Sequence, residues 1–450
     1  MKVAKFGGSS LSNASQIKKV AAIVKEDPDI KTIVVSAPGK RFDDDVKVTD
    51  LLIALYTNKV ANMDTSKIID EIMDRYRSIA EELSLESKIV ESFETILNDR
   101  LDNIEEQAYL LDALKSSGED FNAQLISTYL NTLGLSSKYV SPKEAGIIVS
   151  NTPANARLLK SSYDEIKKLK DYEEDVLVIP GFFGYSEYDD IITFARGGSD
   201  ITGAIIARGI SADIYENYTD ESYIFAAHPG IIDNPYKIKE ITYKEMRELA
   251  YAGFGIFHDE ALDPLYQEKI PVMIRNTNDP TVEGTKIVAE RALDPKVPII
   301  GFSCDEGFIS INLHKYLLNK EVGFTKRILQ ILEDYNISYE HMPSGIDDIS
   351  IIIRSNQFTG NDNLERVIED IDTQLEPEWI EVEDNLSLLF IVGLGMARQV
   401  GTVQRVTTAL ADNNINIRMM NQGSTEYSMM FAIQSQDHVP AIKALFNQFF

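Results

Sequence analysis

Short apolar runs alternate with amphipathic stretches over the first two-thirds of the chain. Lys2-Val3-Ala4-Lys5-Phe6, Thr32-Ile33-Val34-Val35-Ser36, Val176-Leu177-Val178-Ile179 and the stretch from Ala212 to Asp220 read as buried strands. Ile17, Val20, Ile23 and Val24 fall on one side of a helix after the first of these, and Ile68, Ile69, Ile72 and Met73 mark an apolar stripe within the charge-rich helical region 59–115. The many acids of that region read most simply as a solvated face. Ser117-Gly118-Glu119-Asp120 is expected to open the next helix, with Leu125, Ile126 and Leu130 inward. Strands and helices alternate to about residue 290, which predicts a mainly parallel sheet covered on both faces.

The last third breaks this rhythm because it repeats. Val322, Gly323, Leu332, Asp334, Asn336, Ile337, Met342 and Gly345 recur as Val400, Gly401, Leu410, Asp412, Asn414, Ile415, Met420 and Gly423, each 78 positions on. Each copy reads strand, glycine turn, helix, strand, strand, helix. A closing strand, Glu378-Trp379-Ile380-Glu381-Val382, follows the first copy, and the counterpart position for the second falls past residue 450. Val297-Pro298-Ile299-Ile300-Gly301-Phe302 is the expected donor, which inserts the first copy within the second. The division that follows is 1–292, then 308–384 as the inserted copy, with 296–307 plus 385–450 as the other.

Composition narrows the chemistry. The net charge is −27, from 44 Lys and Arg against 71 Asp and Glu, and this argues against nucleic acid or an anionic membrane as partner. Cys304 is the sole cysteine, so no intrachain disulfide is expected, and neither a basic-then-apolar leader nor an uninterrupted apolar run of about 18 residues appears. A cytoplasmic protein is the expectation. If such an acidic chain handles acidic substrates, its cations must gather at the site. Two stretches offer this. Lys5 ends a strand just before Gly7-Gly8-Ser9-Ser10, and Arg196 stands just before Gly197-Gly198-Ser199-Asp200, where a helix begins. Glycine turns let an anion approach backbone N–H groups, and a helix start adds partial positive charge. The plainer reading of the second stretch is a turn in which Ser199 or Asp200 only caps the helix. Lys5 precedes its glycines, so the first stretch is not the GxxxxGK[ST] loop.

Ser36 and Thr49 offer hydroxyls where open α/β sheets bind ligands, though Thr49 also reads as a helix cap. Glu119 either suits a helix start or receives a substrate ammonium. Gly393-Leu394-Gly395 imitates a dinucleotide fingerprint but places Arg398 at the third glycine position. Cys304 and the five histidines make no metal spacing. No histidine lies in any of these motifs, and a carboxylate acceptor, already ionised at neutral pH, needs no base, so acyl-phosphate synthesis suits this inventory.

Lys5-Phe6-Gly7-Gly8-Ser9-Ser10, Gly181-Phe182-Phe183-Gly184, Phe194-Ala195-Arg196-Gly197-Gly198-Ser199-Asp200, Thr219-Asp220 and the doubled carboxy-terminal unit together resemble the aspartokinase family of the monofunctional type. The resemblance spans essentially the whole chain. It implies an α/β fold, an amino-acid-kinase-like mainly parallel sheet sandwiched by helices, followed by two tandem α+β (ferredoxin-like) ACT domains. The implied reaction is L-aspartate plus ATP giving 4-phospho-L-aspartate plus ADP, with Mg2+ held mainly by the nucleotide phosphates and no metal site on the protein. By the same resemblance Lys5 stabilises the transferred phosphoryl group and Asp200 positions that lysine. Arg196, with Gly198 and Ser199, takes the α-carboxylate, Glu119 the α-ammonium, and Ser36 and Thr49 line the pocket. Gly7, Gly8, Ser9, Thr219, Asp220 and Phe225 fall where the family holds the nucleotide.

That half of the chain departs from many relatives, which carry Asp-Gly-Val-Tyr and Asp-Pro-Arg where Ser222-Tyr223-Ile224-Phe225 and His228-Pro229-Gly230 stand, and a lysine at Gly255. Lys237, Lys239 or Arg275 then become candidates for phosphate contacts. The ACT units imply control by an end-product amino acid, lysine before threonine, at Leu318, Phe324, Thr325, Ser338, Tyr339 and Glu340. They also imply a homodimer, with a tetramer open beyond it. The alternatives are another amino-acid kinase of the same fold and a catalytically silent amino-acid sensor.

Overall fold

The computed structural model describes the whole chain except Arg196, Gly255, Ile256, His258, Pro295, Lys296, Thr359, Gly360 and Arg398, and the side chains of Asp259, Asn361 and Asp362. The chain forms two compact units. One comprises Met1–Ile224, Lys237–Ala250 and Gly255–Arg291, and the other Phe225–Tyr236, Tyr251–Phe254 and Ala292–Phe450.

The strands of the first part of the chain are β1 (Lys2–Phe6), β2 (Ile30–Val35), β3 (Ser137–Tyr139), β4 (Val176–Pro180), β5 (Phe183–Tyr185), β6 (Ile191–Thr193), β7 (Ile214–Thr219), β8 (Ile224–Phe225), β9 (Lys237–Ile238), β10 (Glu240–Thr242), β11 (Val272–Asn276) and β12 (Thr285–Val288). Eight of them build one sheet in the order β10-β12-β11-β7-β1-β2-β4-β3, parallel throughout except between β11 and β12. β1 lies centrally, with Val3, Ala4 and Phe6 fully buried, as its nearly unbroken apolar run predicts. Because β1, β2, β4 and β7 run the same way, the loops that follow Phe6, Val35, Pro180 and Thr219 all leave from one edge of the sheet.

Helices α1 (Ala14–Glu26), α2 (Val48–Val60), α3 (Ser66–Glu82), α4 (Lys88–Asn103), α5 (Gln107–Thr132), α6 (Ser162–Ile166), α7 (Gly198–Gly209), α8 (Tyr243–Tyr251) and α9 (Leu262–Glu268) complete this part. The aromatic centre of α3, α4 and α5 is a stack of Phe93 on Phe121 at 4.5 Å, met edge-on by Tyr76. α5 corrects one expectation. It starts at Gln107, so Ser117-Gly118-Glu119-Asp120 lies in its middle and Glu119 is not in a first turn. The small residues there serve close packing: a Cβ on Gly118 would stand 2.7 Å from the Ala37 Cβ, and the Gly118 carbonyl accepts a hydrogen bond from Tyr76 at 2.8 Å.

The second unit holds β13 (Gly301–His314), β14 (Asp348–Arg354), β15 (Trp379–Val392), β16 (Met419–Gln422) and β17 (Ser428–Gln434) in one antiparallel sheet of order β14-β13-β15-β17-β16. Its helices are α10 (Phe324–Asp334), α11 (Asn361–Leu375), α12 (Thr402–Asp412) and α13 (His438–Phe449). Two hydrophobic cores form. One gathers Ile311, Phe324, Ile328, Ile351, Val367 and Ile371, the other Ile299, Phe302, Leu389, Val406, Phe431 and Leu445. β13 and β15 run unbroken from one core into the other. Two segments from upstream of residue 292 join this unit, with Ala227 and Ile232 inside the second core and the Ala226 carbonyl bonded to the Phe302 N–H at 2.7 Å. The two copies are unequal after their first helix: β16 in one is matched in the other only by bridges at His341–Ile352 and Ser344–Ile349.

Candidate active site

β1 delivers Lys5 to the edge of the sheet, 8% exposed, with its Nζ donating to Asp200 Oδ1 at 2.7 Å. Asp200 sits in the first turn of α7 but caps nothing. The cap position is Gly197, whose φ of 65° is the left-handed conformation that glycine adopts without strain, and which has no side chain with which to cap the helix. The Asp200 carboxylate is instead drawn sideways, where the same Oδ1 also accepts from Asn217 Nδ2 at 2.8 Å. Asn217 lies directly opposite Lys5 in the β1–β7 register and is 1% exposed. The lysine is thereby fixed by a buried acid that is fixed in turn.

Two adjoining cavities open at this edge. The smaller, about 250 Å³, is lined by Lys5, Ser36, Thr49, Glu119, Phe182, Gly197, Gly198, Ser199 and Asp200. The larger, about 640 Å³, shares Ser36, Thr49 and Glu119 with it and extends past Gly8 and Ser9, the loop from Ala37 to Asp43, Lys47 and Asp220. The first glycine turn and the loop after β2 touch closely: Gly39 N–H donates to the Gly8 carbonyl at 2.9 Å, and a Cβ on Gly39 would fall 2.6 Å from the Gly8 carbonyl carbon. Only a residue without a side chain lets the two loops meet there.

Glu119 is the unusual group. It is 6% exposed, and its Oε2 has no hydrogen-bond partner among the described residues. Burial pushes its carboxyl up to about 8, against a smaller opposing pull from the Ala37 N–H and from Lys115 one helical turn away. A buried carboxyl with an unused oxygen beside two hydroxyls suits a ligand cation.

The residues expected from the sequence thus divide. Lys5, Ser36, Thr49, Glu119, Gly198, Ser199 and Asp200 surround the smaller cavity, and Gly8, Ser9 and Asp220 border the larger one. Gly7 precedes this turn, its N–H bonded to the Tyr218 carbonyl at 3.1 Å. Thr219 Oγ1 donates to Asp220 at 2.9 Å. Phe225 belongs to the segment grouped with the second unit. Arg196 and Gly255 lie outside the described residues. Arg275 is tied to Glu216 at 3.1 Å and Lys237 stands 5.2 Å from the Tyr223 ring.

Three residues at or beside the site received no role of their own from the sequence, Phe182 standing there only within a motif. Asn217 orients Asp200, Phe182 lines the smaller cavity, and Lys115 bonds Thr193 Oγ1 at 3.0 Å and pairs with Asp112 at 3.2 Å. Lys115 precedes Glu119 by one helical turn, the single hint that the sequence offers.

In the second unit Leu318 and Phe324 are core residues, and Thr325 is exposed at the start of α10. Ser338 is bonded to Gln357 through its N–H at 2.8 Å and its hydroxyl at 2.9 Å. Ser338 and Tyr339 border an open groove of about 560 Å³ with Leu329, Leu332 and Asn336. Glu340 accepts from Arg354 Nε at 3.1 Å and from the Tyr251 hydroxyl. Among the described residues no three His, Cys, Asp or Glu side chains could hold a metal ion, and no helix is long and apolar enough to cross a membrane.

Residues 1–276 match the amino acid kinase family and residues 389–449 match the ACT domain. Aspartokinase 3 of Bacillus subtilis (strain 168) is 46% identical over 454 aligned residues, which cover 100% of this chain and 99% of that protein. The crystal structure of Clostridium acetobutylicum aspartate kinase is 37% identical and superposes with a TM-score of 0.89 over all of both chains. Escherichia coli aspartokinase III, solved with aspartate and ADP, shares the fold at a TM-score of 0.80 and 22% identity, again over all of both chains.

Proposed function

Because the chain belongs to the amino acid kinase family, in its aspartokinase branch, we propose that the cavity between Lys5 and Glu119 is where the side-chain carboxylate of L-aspartate takes the γ-phosphoryl group of ATP. A bond forms between a carboxylate oxygen and phosphorus as the bond from phosphorus to the ADP oxygen breaks, giving 4-phospho-L-aspartate and ADP. The nucleophile is already ionised, so no proton has to be removed. What opposes reaction is the repulsion of two anions, and the protein's task is to align them and neutralise charge as it develops. Lys5 does this at the transferred group. Asp200, backed by Asn217, keeps the ammonium in place without a water shell.

The reading is carried by one observation: Glu119, with a buried oxygen that no donor among the described residues satisfies, lines the same cavity as Lys5 and the Ser199 end of α7. The α-ammonium of aspartate would meet Glu119, with Ser36 and Thr49 beside it. The α-carboxylate would meet Ser199, the Gly198 turn and Arg196, the last assigned from the sequence alone. Gly7, Gly8, Ser9, Thr219, Asp220 and Phe225 are proposed for the nucleotide. Mg2+ would ride on the phosphates and supply charge neutralisation there.

For the second unit the proposal is two ACT domains, 308–384 inserted between 296–307 and 385–450. The two separate cores and the shared β13 and β15 support this. An end-product amino acid, lysine before threonine, would bind near Ser338, Tyr339 and Glu340 with Leu318, Phe324 and Thr325 around it, in a homodimer or higher assembly in the cytoplasm. The test of the kinase reading is aspartate-dependent ADP release, with glutamate as the control acceptor. Lys5→Ala should lower kcat by about 100-fold or more while aspartate still binds; near-normal turnover would overturn the role given to Lys5.

A further inference from the structure

The larger cavity is walled on one side by a loop whose anchoring none of the family motifs explains. Arg75 projects from α3, a helix whose other charges face solvent, yet it is 3% exposed. All its observed bonds go to this loop: Nη1 to the Gly39 carbonyl at 2.9 Å, Nη2 to Asp45 Oδ2 at 2.7 Å and to the Val46 carbonyl at 2.8 Å. Asp45 is 8% exposed and also takes the Arg41 N–H at 2.9 Å and the Arg41 guanidinium in a bidentate pair at 2.9 and 2.8 Å. These donors hold its carboxyl far below the usual range, the Arg41 side chain contributing most. Two arginines on one carboxylate leave the cluster with a net positive charge.

The clamp reaches the phosphate side of the site directly, since the Gly39 whose carbonyl Arg75 holds is the residue that packs on Gly8. The same loop places Lys40, Arg41 and Lys47 on the cavity wall, a concentration of cations in a chain of net charge −27. Asp43, Asp220 and Glu119 are the acids that line it, and Glu119 is the one that burial keeps largely protonated near neutral pH. Lys40 spends a bond on the Asp43 carbonyl at 2.9 Å, which fixes its direction and leaves two ammonium hydrogens.

We propose that the loop from Gly39 to Lys47 is a preset polyphosphate-binding wall, in which Lys40 and Lys47 contact the nucleotide's phosphates and Arg75, touching no ligand, is the positioning residue that holds them through Asp45 and Gly39. The inference rests on ATP being the donor at this cavity and adds residues to that reading. Inorganic tripolyphosphate and ADP, titrated calorimetrically into the full-length protein, are the probes. The double variant Lys40→Met/Lys47→Met, altered only at exposed positions, should bind both about tenfold or more weakly and raise KM for ATP to match, with KM for aspartate within about twofold. Arg75→Lys, whose single ammonium cannot span three acceptors, should show the same split between the two KM values. Unchanged tripolyphosphate affinity and KM for ATP in the double variant would overturn the proposal, and an Arg75→Lys enzyme with an ordinary KM for ATP would remove the clamp from it. Should Arg75→Lys not fold, the double variant alone decides. Absence of aspartate-dependent ADP release in the unaltered protein would sink the acceptor assignment instead, while the tripolyphosphate titrations would still report on the wall.

Discussion

Glu119 and Glu340 are the two acids proposed here for amino-acid sites, one for substrate and one for effector, and the protein treats them in opposite ways. Glu119 is sealed in the middle of α5 with one oxygen unsatisfied among the described residues, and burial pushes its carboxyl up to about 8. Glu340 is joined to Arg354, which also reaches Asp305, and to the Tyr251 hydroxyl. A ligand at Glu119 supplies something that the fold lacks; a ligand at Glu340 has to displace something that the fold already has. The first arrangement favours a substrate bound at every turnover. The second favours an effector whose binding rearranges its surroundings, since it must compete with an arginine.

The contrast breaks most visibly at Glu119. Glu119→Gln removes the charge while keeping the shape, and KM for aspartate should rise about 30-fold or more, as when one member of a buried pair is lost. A KM within about threefold of the unaltered enzyme would put the ammonium elsewhere. A pH series sharpens the same point. With the carboxyl near 8 in the unliganded protein, aspartate must expel a proton to bind at lower pH, so KM for aspartate should fall as pH rises from 6 towards 8, by at most about tenfold per unit, and level off above. The sign for stability is opposite. The native state carries the extra proton between the ordinary value of 4.5 and about 8, so the ligand-free protein loses stability as pH rises through that window. A KM that is flat with pH, or that rises, would contradict the assignment.

A smaller effect is expected at Lys115. Its removal as Lys115→Met leaves Asp112 bonded to the N–H groups of Ala154 and Thr193 and to the Thr193 hydroxyl, but takes a positive charge from beside Glu119. The midpoint of the pH series should move upward, by roughly half a unit to one unit; a downward move would show that Lys115 does not act through Glu119. The smallest effect belongs to the second unit. On the proposal that lysine is the effector, Glu340→Ala should blunt its inhibition severalfold with kcat unchanged, and lower stability by no more than about 1 kcal/mol, since Arg354 keeps Asp305 as partner. Unaltered inhibition curves would detach Glu340 from the effector.

Much of the site was legible because parallel strands end at one edge. A lysine closing one strand, a hydroxyl after another and an acid after a third converge once the sheet is recognised as parallel, however far apart they stand in sequence. Groups that act through non-local partners left no such mark. Arg75 sits in a run of charges, Asp74-Arg75-Tyr76-Arg77, that reads as a wet helix face, and only the tertiary fold turns it inward onto Asp45. Arg100, in the same region, likewise bonds Asp120 at 3.0 Å in the interior. Glu119 does line the smaller cavity, but the helix start expected around it is a packing contact in the middle of α5. The repeat pointed to two similar units in the last third of the chain, whereas the joining of 225–236 and 251–254 to the second unit followed from no local pattern.

β13 and β15 are each a single strand serving two cores, paired across a register slip between Glu306 and Phe308 and another between Phe308 and Ser310. The pair works as an axle. Neither core can unwind or swing away without bending the other's floor, so a tilt imposed beside α10 reaches α12 as torsion along continuous hydrogen-bonded backbone, with the irregular stretch at residues 306–310 as its most compliant joint.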